Sequence, residues 1–136
     1  MYKRQAAALV SENKGLCFPS SADSIPTSLG QEDHVSMGSI GGRKTLRVIK
    51  NLENILAIEL LCAAQAFDFR KPLRSSQFLD EVHDLIRERI DFAEEDRIFS
   101  LDVKKAQQIL TERSLTELSR SFHPEFSEHD TLFEAY

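Results

Sequence analysis

The sequence predicts an all-α protein, and three observations support that prediction. Apolar residues make up 41% of the 136 positions and charged residues 29%, which is the composition of a folded chain rather than a disordered one. Only five glycines and four prolines interrupt the chain. Apolar residues also recur at spacings of three and four between Phe78 and Ile90, which is the period of one helix face.

Charge and cysteine content exclude several classes of protein. Seventeen basic and 22 acidic residues give a formal net charge of −5, so we expect neither nucleic acid nor a membrane surface as a partner. Cys17 and Cys62 lie far apart without a CxxC spacing, and no secretory leader opens the chain, which predicts a reducing, cytoplasmic location. The longest apolar stretch, residues 55–67, is interrupted by Glu59 and Gln65 and is too short to cross a bilayer.

The first third of the chain is predicted to contain a short helical piece and then an ordered loop. Residues 6–10 have the character of the last turns of a helix whose beginning is absent. Residues 11–33 are predicted to form a loop, because their composition shifts to Ser, Thr, Asp and Gly. Within this loop Pro19 and Pro26 impose extended or turn geometry on the residues before them.

A long helix is predicted from about residue 34 to 69. Asp33 is placed to cap it, because a short carboxylate there accepts hydrogen bonds from the free N–H groups of the first turn. Three glycines near its start each cost about 1 kcal/mol of helix propensity, which is consistent with close packing of another backbone or with a later helix start. Residues 57–67 are apolar on nearly every face, and such a helix must be surrounded by others.

The helix after Pro72 is predicted to lie on the surface. Ser75 or Ser76 caps it, and it extends to about residue 92 with its apolar residues on one side only. His83 lies beside Val82 on this helix, and we interpret it as a packing residue.

Short helices are predicted over about residues 103–121. Asp102 is expected to cap the first of them, and the sequence from Ser114 to Glu117 matches a capping box for the second. Residues 122–136 are a weakly specified tail. These elements are too few to enclose the apolar helix, so we expect the chain to pack into something larger.

The densest polar cluster consists of Gln31, Glu32, Asp33, His34 and Ser36, where the loop enters the long helix. Free N–H groups at a helix start favour anions. No metal site is expected, because adjacent residues cannot all face one ion and no second histidine follows at helical spacing. In a purely structural interpretation Asp33 caps the helix, Ser36 sustains the cap and His34 packs sideways.

The stretch from Ser24 to Gly38 reads SIPTSLGQEDHVSMG, and it closely resembles the motif of the histidine ammonia-lyases, within the aromatic amino-acid lyase family. Residues 8–18, 56–70 and 72–76 follow the C-terminal region of that family in the same order. The resemblance covers residues 6–113. Residues 1–5 fall outside it as an unmatched leader, for which foreign sequence is one interpretation.

The resemblance implies a fold, a reaction and a cofactor. The fold is part of the long-helix bundle of the fumarase/aromatic amino-acid lyase superfamily, assembled as a homotetramer. The reaction is elimination of ammonia from L-histidine to give trans-urocanate, the first step of histidine degradation. The family uses a methylidene-imidazolone electrophile formed from an internal Ala-Ser-Gly. This chain contains no Ala-Ser-Gly, so we expect a C-terminal fragment of the enzyme that is inactive by itself and assembles with complete subunits.

The resemblance also assigns site residues, chiefly Glu32, which contacts the imidazole of bound histidine. A carboxylate can accept an imidazole N–H or stabilise a cationic ring, whereas relatives that act on phenylalanine carry an uncharged amide there. Gln31 would line the same pocket or orient Glu32, and Asp33, His34 and Ser36 would hold the loop on its helix. Two alternatives stay open: a non-enzymatic helical oligomerisation module or degenerate lyase remnant, and a lyase for another aromatic amino acid, which Glu32 disfavours.

Overall fold

The computed structural model describes residues 2–23, 25–32, 35 and 38–124, and its regular structure in those ranges is helical. Two short 3-10 turns and an isolated bridge between Thr27 and Glu32 precede the long second helix. The all-α prediction is therefore confirmed. None of the described helices has both the length and the apolar character that crossing a membrane requires. The helices are α1 (Tyr2–Leu16), α2 (Gly38–Asp68), α3 (Gln77–Arg87), α4 (Phe99–Thr111) and α5 (Ser114–Phe122).

The chain divides into two compact units, residues 1–55 and 56–136. In the first unit, polar side chains join α1 to the start of α2. The carboxylate of Glu12 lies 3.1 Å from Nη2 of Arg47 and accepts a hydrogen bond of 3.0 Å from Nδ2 of Asn51. Asn51 is buried and also donates to Oδ1 of Asn13 at 2.8 Å. This network fixes the two helices at their polar edge.

The second unit has a small apolar core between α2, α3 and α4. Its two most deeply buried large side chains are Ile90 and Ile109. Helix α5 closes one side, where the rings of Phe78 and Phe122 meet edge to face with centroids 5.4 Å apart. The buried members of the core are Ala57, Ala64, Ile86, Ile90, Ala106 and Ile109.

Gln65 is a polar residue in the otherwise apolar second half of α2, and it holds the loop between α3 and α4. Its Nε2 donates to the carbonyl oxygen of Ala93 at 2.9 Å, and its Oε1 accepts from the N–H of Ala93 at 3.2 Å. Both groups of one side-chain amide are thus used on one residue of the loop.

One face of α2 carries large apolar side chains that stay exposed. Leu46, Ile49, Leu52 and Leu56 follow each other at helical spacing, and each is at least 42% exposed. An exposed apolar stripe of this kind is typical of a surface that another polypeptide covers.

Two predicted helix ends are wrong. The loop predicted from residue 11 begins later, because α1 continues to Leu16. Glu12 and Asn13 are part of the network with α2, and these tertiary contacts outweigh the turn-like local composition. The helix predicted over 76–92 ends at Arg87. Nη1 of Arg87 donates to the carbonyl oxygen of Ile90 at 2.9 Å, and the chain turns there so that Ile90 is buried in the core.

The predicted caps had mixed outcomes. Ser76 caps α3, as its hydroxyl accepts from the N–H of Leu79 at 3.3 Å. Asp102 does not cap a helix, because α4 begins at Phe99; Asp102 is buried in the first turn and accepts from Nε of Arg97 at 2.8 Å.

The predicted capping box at Ser114 is also wrong. The cap position of α5 is Arg113, whose φ of 61° is left-handed, and Ser114 is already the first helical residue. The tight connection from α4 leaves no extended residue at that point, and an extended backbone is what a serine cap requires. For the long helix, α2 is described from Gly38 to Asp68, and the proposed cap Asp33 lies outside the described residues.

Candidate functional site

The predicted site residues Gln31 and Glu32 lie in a tight turn that begins at Thr27. The N–H of Thr27 donates to the carbonyl oxygen of Glu32 at 3.0 Å, and the N–H of Glu32 donates back to Thr27 at 3.3 Å. Inside the turn, the N–H of Gly30 donates to the carbonyl oxygen of Thr27 at 3.1 Å. The N–H of Gln31 donates to the carbonyl oxygen of Ser28 at 3.2 Å. The backbone therefore fixes the two ends of the turn to each other.

Three successive residues of this turn have a left-handed backbone. The φ angles are 55° at Ser28, 57° at Leu29 and 82° at Gly30. Glycine adopts this conformation freely, whereas other residues pay roughly 1–2 kcal/mol for it. The side chain of Leu29 is fully exposed, so burial of that side chain does not compensate for the cost. Strain of this kind next to a predicted binding residue is consistent with a functional constraint on the turn.

The side chain of Glu32 is exposed, and Thr27 holds one of its oxygens. Oγ1 of Thr27 donates to Oε2 of Glu32 at 3.0 Å. A carboxylate can accept about four hydrogen bonds in all, so this contact leaves acceptor capacity for the N–H of a ligand. The arrangement is suited to binding a polar or cationic N–H donor.

The structure brings together only part of the predicted cluster. Gln31 and Glu32 are neighbours in the turn and both are exposed. Asp33, His34 and Ser36 lie outside the described residues. Among the residues that are described, no group of three or more histidine, cysteine, aspartate or glutamate side chains is arranged to hold a metal ion.

A second polar cluster, around Asp68, was missed by sequence reasoning. The Asp68 carboxylate is only 9% exposed and accepts hydrogen bonds or ion pairs from Arg87 at 2.7 Å, Lys71 at 2.7 Å and His83 at 3.1 Å. Nε2 of His83 is at ion-pair distance but without the alignment of a hydrogen bond, and its ring packs on Phe67 with centroids 4.8 Å apart. The only local signals were the i,i+3 pair of Asp68 with Lys71 and the i,i+4 spacing of His83 and Arg87.

The Asp68 cluster predicts a loss of stability in acid. Burial alone would raise the pKa of the Asp68 carboxyl, but the neighbouring side chains of Lys71, Arg87 and His83 outweigh burial and lower the pKa from 3.8 to about 2. At pH values between about 2 and 3.8, the unfolded chain therefore binds more protons than the folded chain. Stability from this group is fully present above about pH 4 and is lost as the pH falls towards 2, amounting to about 2 kcal/mol.

Urea unfolding of the chain between pH 5 and pH 2 measures this contribution. The wild-type chain is expected to lose more stability over that range than Asp68→Asn, which has no carboxyl to titrate at this position. Parallel curves for the two proteins would contradict the assignment.

Proteins of one known family match this chain over most of its length. The sequence profile of the aromatic amino acid lyase family matches residues 1–88. The chain belongs to this family. The match begins at residue 1, so it includes the five residues that the sequence resemblance left outside. A histidine ammonia-lyase from Natranaerobius thermophilus is 49% identical over 117 residues, which are 85% of this chain and 23% of that lyase.

Solved structures of the lyase superfamily confirm the fold. The crystal structure of histidine ammonia-lyase from Trypanosoma cruzi matches with a TM-score of 0.82 and 44% identity, over 87% of this chain and 23% of that chain. Tyrosine aminomutase from Streptomyces globisporus matches with a TM-score of 0.77 and 31% identity, over 85% of this chain and 22% of that chain. This chain thus spans less than a quarter of the length of each of these relatives.

Proposed function

We propose that this chain is a segment of a histidine ammonia-lyase, which eliminates ammonia from L-histidine to give trans-urocanate. The observation that carries the proposal is the carboxylate of Glu32, exposed on a fixed turn within a chain that is 49% identical to a histidine ammonia-lyase. The fold alone does not select histidine, since a tyrosine aminomutase shares it. In this proposal the side chain at position 32 selects the substrate.

In this proposal Glu32 recognises the ring of the substrate. An ionised carboxylate accepts the N–H of a neutral imidazole and forms a charge-assisted hydrogen bond with a protonated one. A phenyl ring offers no hydrogen-bond donor to this acceptor, and burying the carboxylate against it would cost desolvation. Gln31, the neighbour of Glu32 in the turn, is proposed to line the same pocket.

The residues of this chain cannot form the methylidene-imidazolone that the reaction uses. That group forms from an Ala-Ser-Gly sequence, and none occurs in these 136 residues. We propose that another part of the complete subunit supplies it. The role of this chain is to bind and orient the substrate ring, and another part of the complete subunit carries out the elimination step.

We also propose a cytoplasmic homotetramer in which this segment is part of, or assembles with, complete subunits. The exposed apolar stripe of α2 supports the assembly, since it needs a covering surface. Both cysteines are free and exposed, which supports a reducing compartment. The same stripe favours the second candidate function, a helical oligomerisation module without catalysis.

Four reactions followed by the ultraviolet absorbance of the product test the proposed function. A complete subunit that carries this segment is expected to deaminate L-histidine and to leave L-tyrosine and L-phenylalanine unchanged. The isolated chain is expected to form no urocanate, because it lacks the electrophile. Preference for tyrosine or phenylalanine would contradict the histidine assignment. Turnover by the isolated chain would contradict the proposal that another part of the subunit supplies the electrophile. An inert complete subunit would favour the oligomerisation module.

A further inference from the structure

We propose that Thr27 is a positioning residue that orients the carboxylate of Glu32 towards the substrate. This inference rests on the proposed function, because it concerns how the same site binds the imidazole ring. The contact that carries it is the hydrogen bond of 3.0 Å from Oγ1 of Thr27 to Oε2 of Glu32.

The hydroxyl of Thr27 is the part of the turn that acts on the carboxylate. Glutamate has three rotatable side-chain bonds, and on an exposed turn its carboxylate would sample many directions. A hydrogen bond to one oxygen restricts that sampling while leaving the other oxygen able to accept from a ligand. A ligand then binds a carboxylate that is already oriented, and loses less conformational freedom on binding.

The hydroxyl is not needed to close the turn. Two backbone hydrogen bonds already join Thr27 to Glu32, and two more stabilise the residues between them. Removing the hydroxyl therefore removes the restraint on the carboxylate and leaves the backbone restraint in place. This separation distinguishes a positioning role from a structural one.

The left-handed residues place the two side chains opposite each other. Ser28, Leu29 and Gly30 reverse the chain direction so that residues five positions apart form an antiparallel bridge. Paired residues of such a bridge extend their side chains on the same side of the backbone. The strained turn thus brings the hydroxyl of Thr27 within hydrogen-bond distance of the Glu32 carboxylate.

The test uses a complete subunit and replaces Thr27 by valine, which has the same shape and no hydroxyl. The KM for L-histidine is expected to rise about tenfold with a smaller change in kcat, because binding must then order a Glu32 carboxylate that the hydroxyl no longer restrains. Thr27→Ser restores the hydroxyl and is expected to recover most of the affinity. Thr27→Ala repeats the test if valine is not tolerated in the turn.

A matched control makes the same change elsewhere. Thr111→Val on α4 removes a hydroxyl that donates to backbone oxygens of its own helix, so KM is expected to stay at the wild-type value. A double-mutant cycle then asks whether Thr27 acts through Glu32. In a Glu32→Ala background, Thr27→Val is expected to cause no further rise in KM.

The outcomes separate this inference from the function on which it rests. If Glu32→Ala raises KM but Thr27→Val leaves it unchanged, or if the two effects add, the positioning role of Thr27 is wrong and the proposed function stands. If Glu32→Ala itself leaves KM and kcat for L-histidine unchanged, Glu32 is not in the substrate pocket and the positioning role of Thr27 falls with it. If no complete subunit deaminates L-histidine, the proposed function itself is wrong.

Discussion

Replacing Glu32 by glutamine in a complete subunit is expected to lower kcat/KM for L-histidine by about a hundredfold. The amide has nearly the shape of the carboxylate but carries no charge and has one acceptor oxygen instead of two. Loss of a hydrogen bond to a charged group costs about 1.5–3 kcal/mol, which corresponds to a tenfold to hundredfold change or slightly more. Steady-state formation of urocanate, followed by its absorbance, measures the effect.

The control for this prediction is Glu117→Gln on α5, an exposed residue on a helix distant in sequence from the turn. It makes the same change of charge and is expected to leave kcat/KM unaltered. Gel filtration of both variants shows whether the assembly is intact. An unaltered rate for Glu32→Gln in an intact assembly would remove Glu32 from the substrate pocket.

Replacing Asp68 by alanine is expected to destabilise the chain by about 3 kcal/mol at pH 7. The change leaves the largely buried Arg87 and His83 without the carboxylate that pairs with them, and uncompensated buried donors are costly. Lys71 loses its ion pair too, but its side chain is 61% exposed and water replaces the carboxylate. Urea unfolding at constant pH gives the difference in free energy.

Glu112→Ala is the matched control for the Asp68 prediction. Glu112 pairs with Arg89, and both side chains are 40% exposed or more, so the loss is expected to stay below about 1 kcal/mol. Equal destabilisation by the two variants would show that burial of the Asp68 cluster is unimportant. Because the measurement requires no activity, it also stands if the proposed function fails.

The fold class could be predicted because helical periodicity is a local property of the sequence. The apolar spacing of α3 and its serine cap both correspond to the structure. The end of α1 and the role of Asp102 could not be predicted in the same way. Each depends on a partner outside its own helical segment, such as Asn51 for Glu12 and Arg97 for Asp102.

For the candidate site, the sequence predicts a residue but not its geometry. The motif points to Glu32 because a carboxylate in that pattern resembles the ring-binding residue of a family. Nothing in the pattern indicates that Leu29 adopts a left-handed backbone, since leucine rarely does. The contact of Thr27 with Glu32 follows from that backbone, so the positioning hydroxyl could be found only in the structure.

The two hydrogen bonds of Gln65 have a consequence for how uniquely α2 packs. An inner face built from residues such as Ala57 and Ala64 is smooth, and by itself it would tolerate rotation or a shift of one turn with little loss of contact. Any such shift would leave the amide of Gln65 and both backbone groups of Ala93 without partners in partly buried surroundings. A single polar side chain therefore selects one register from several that apolar contact alone would accept.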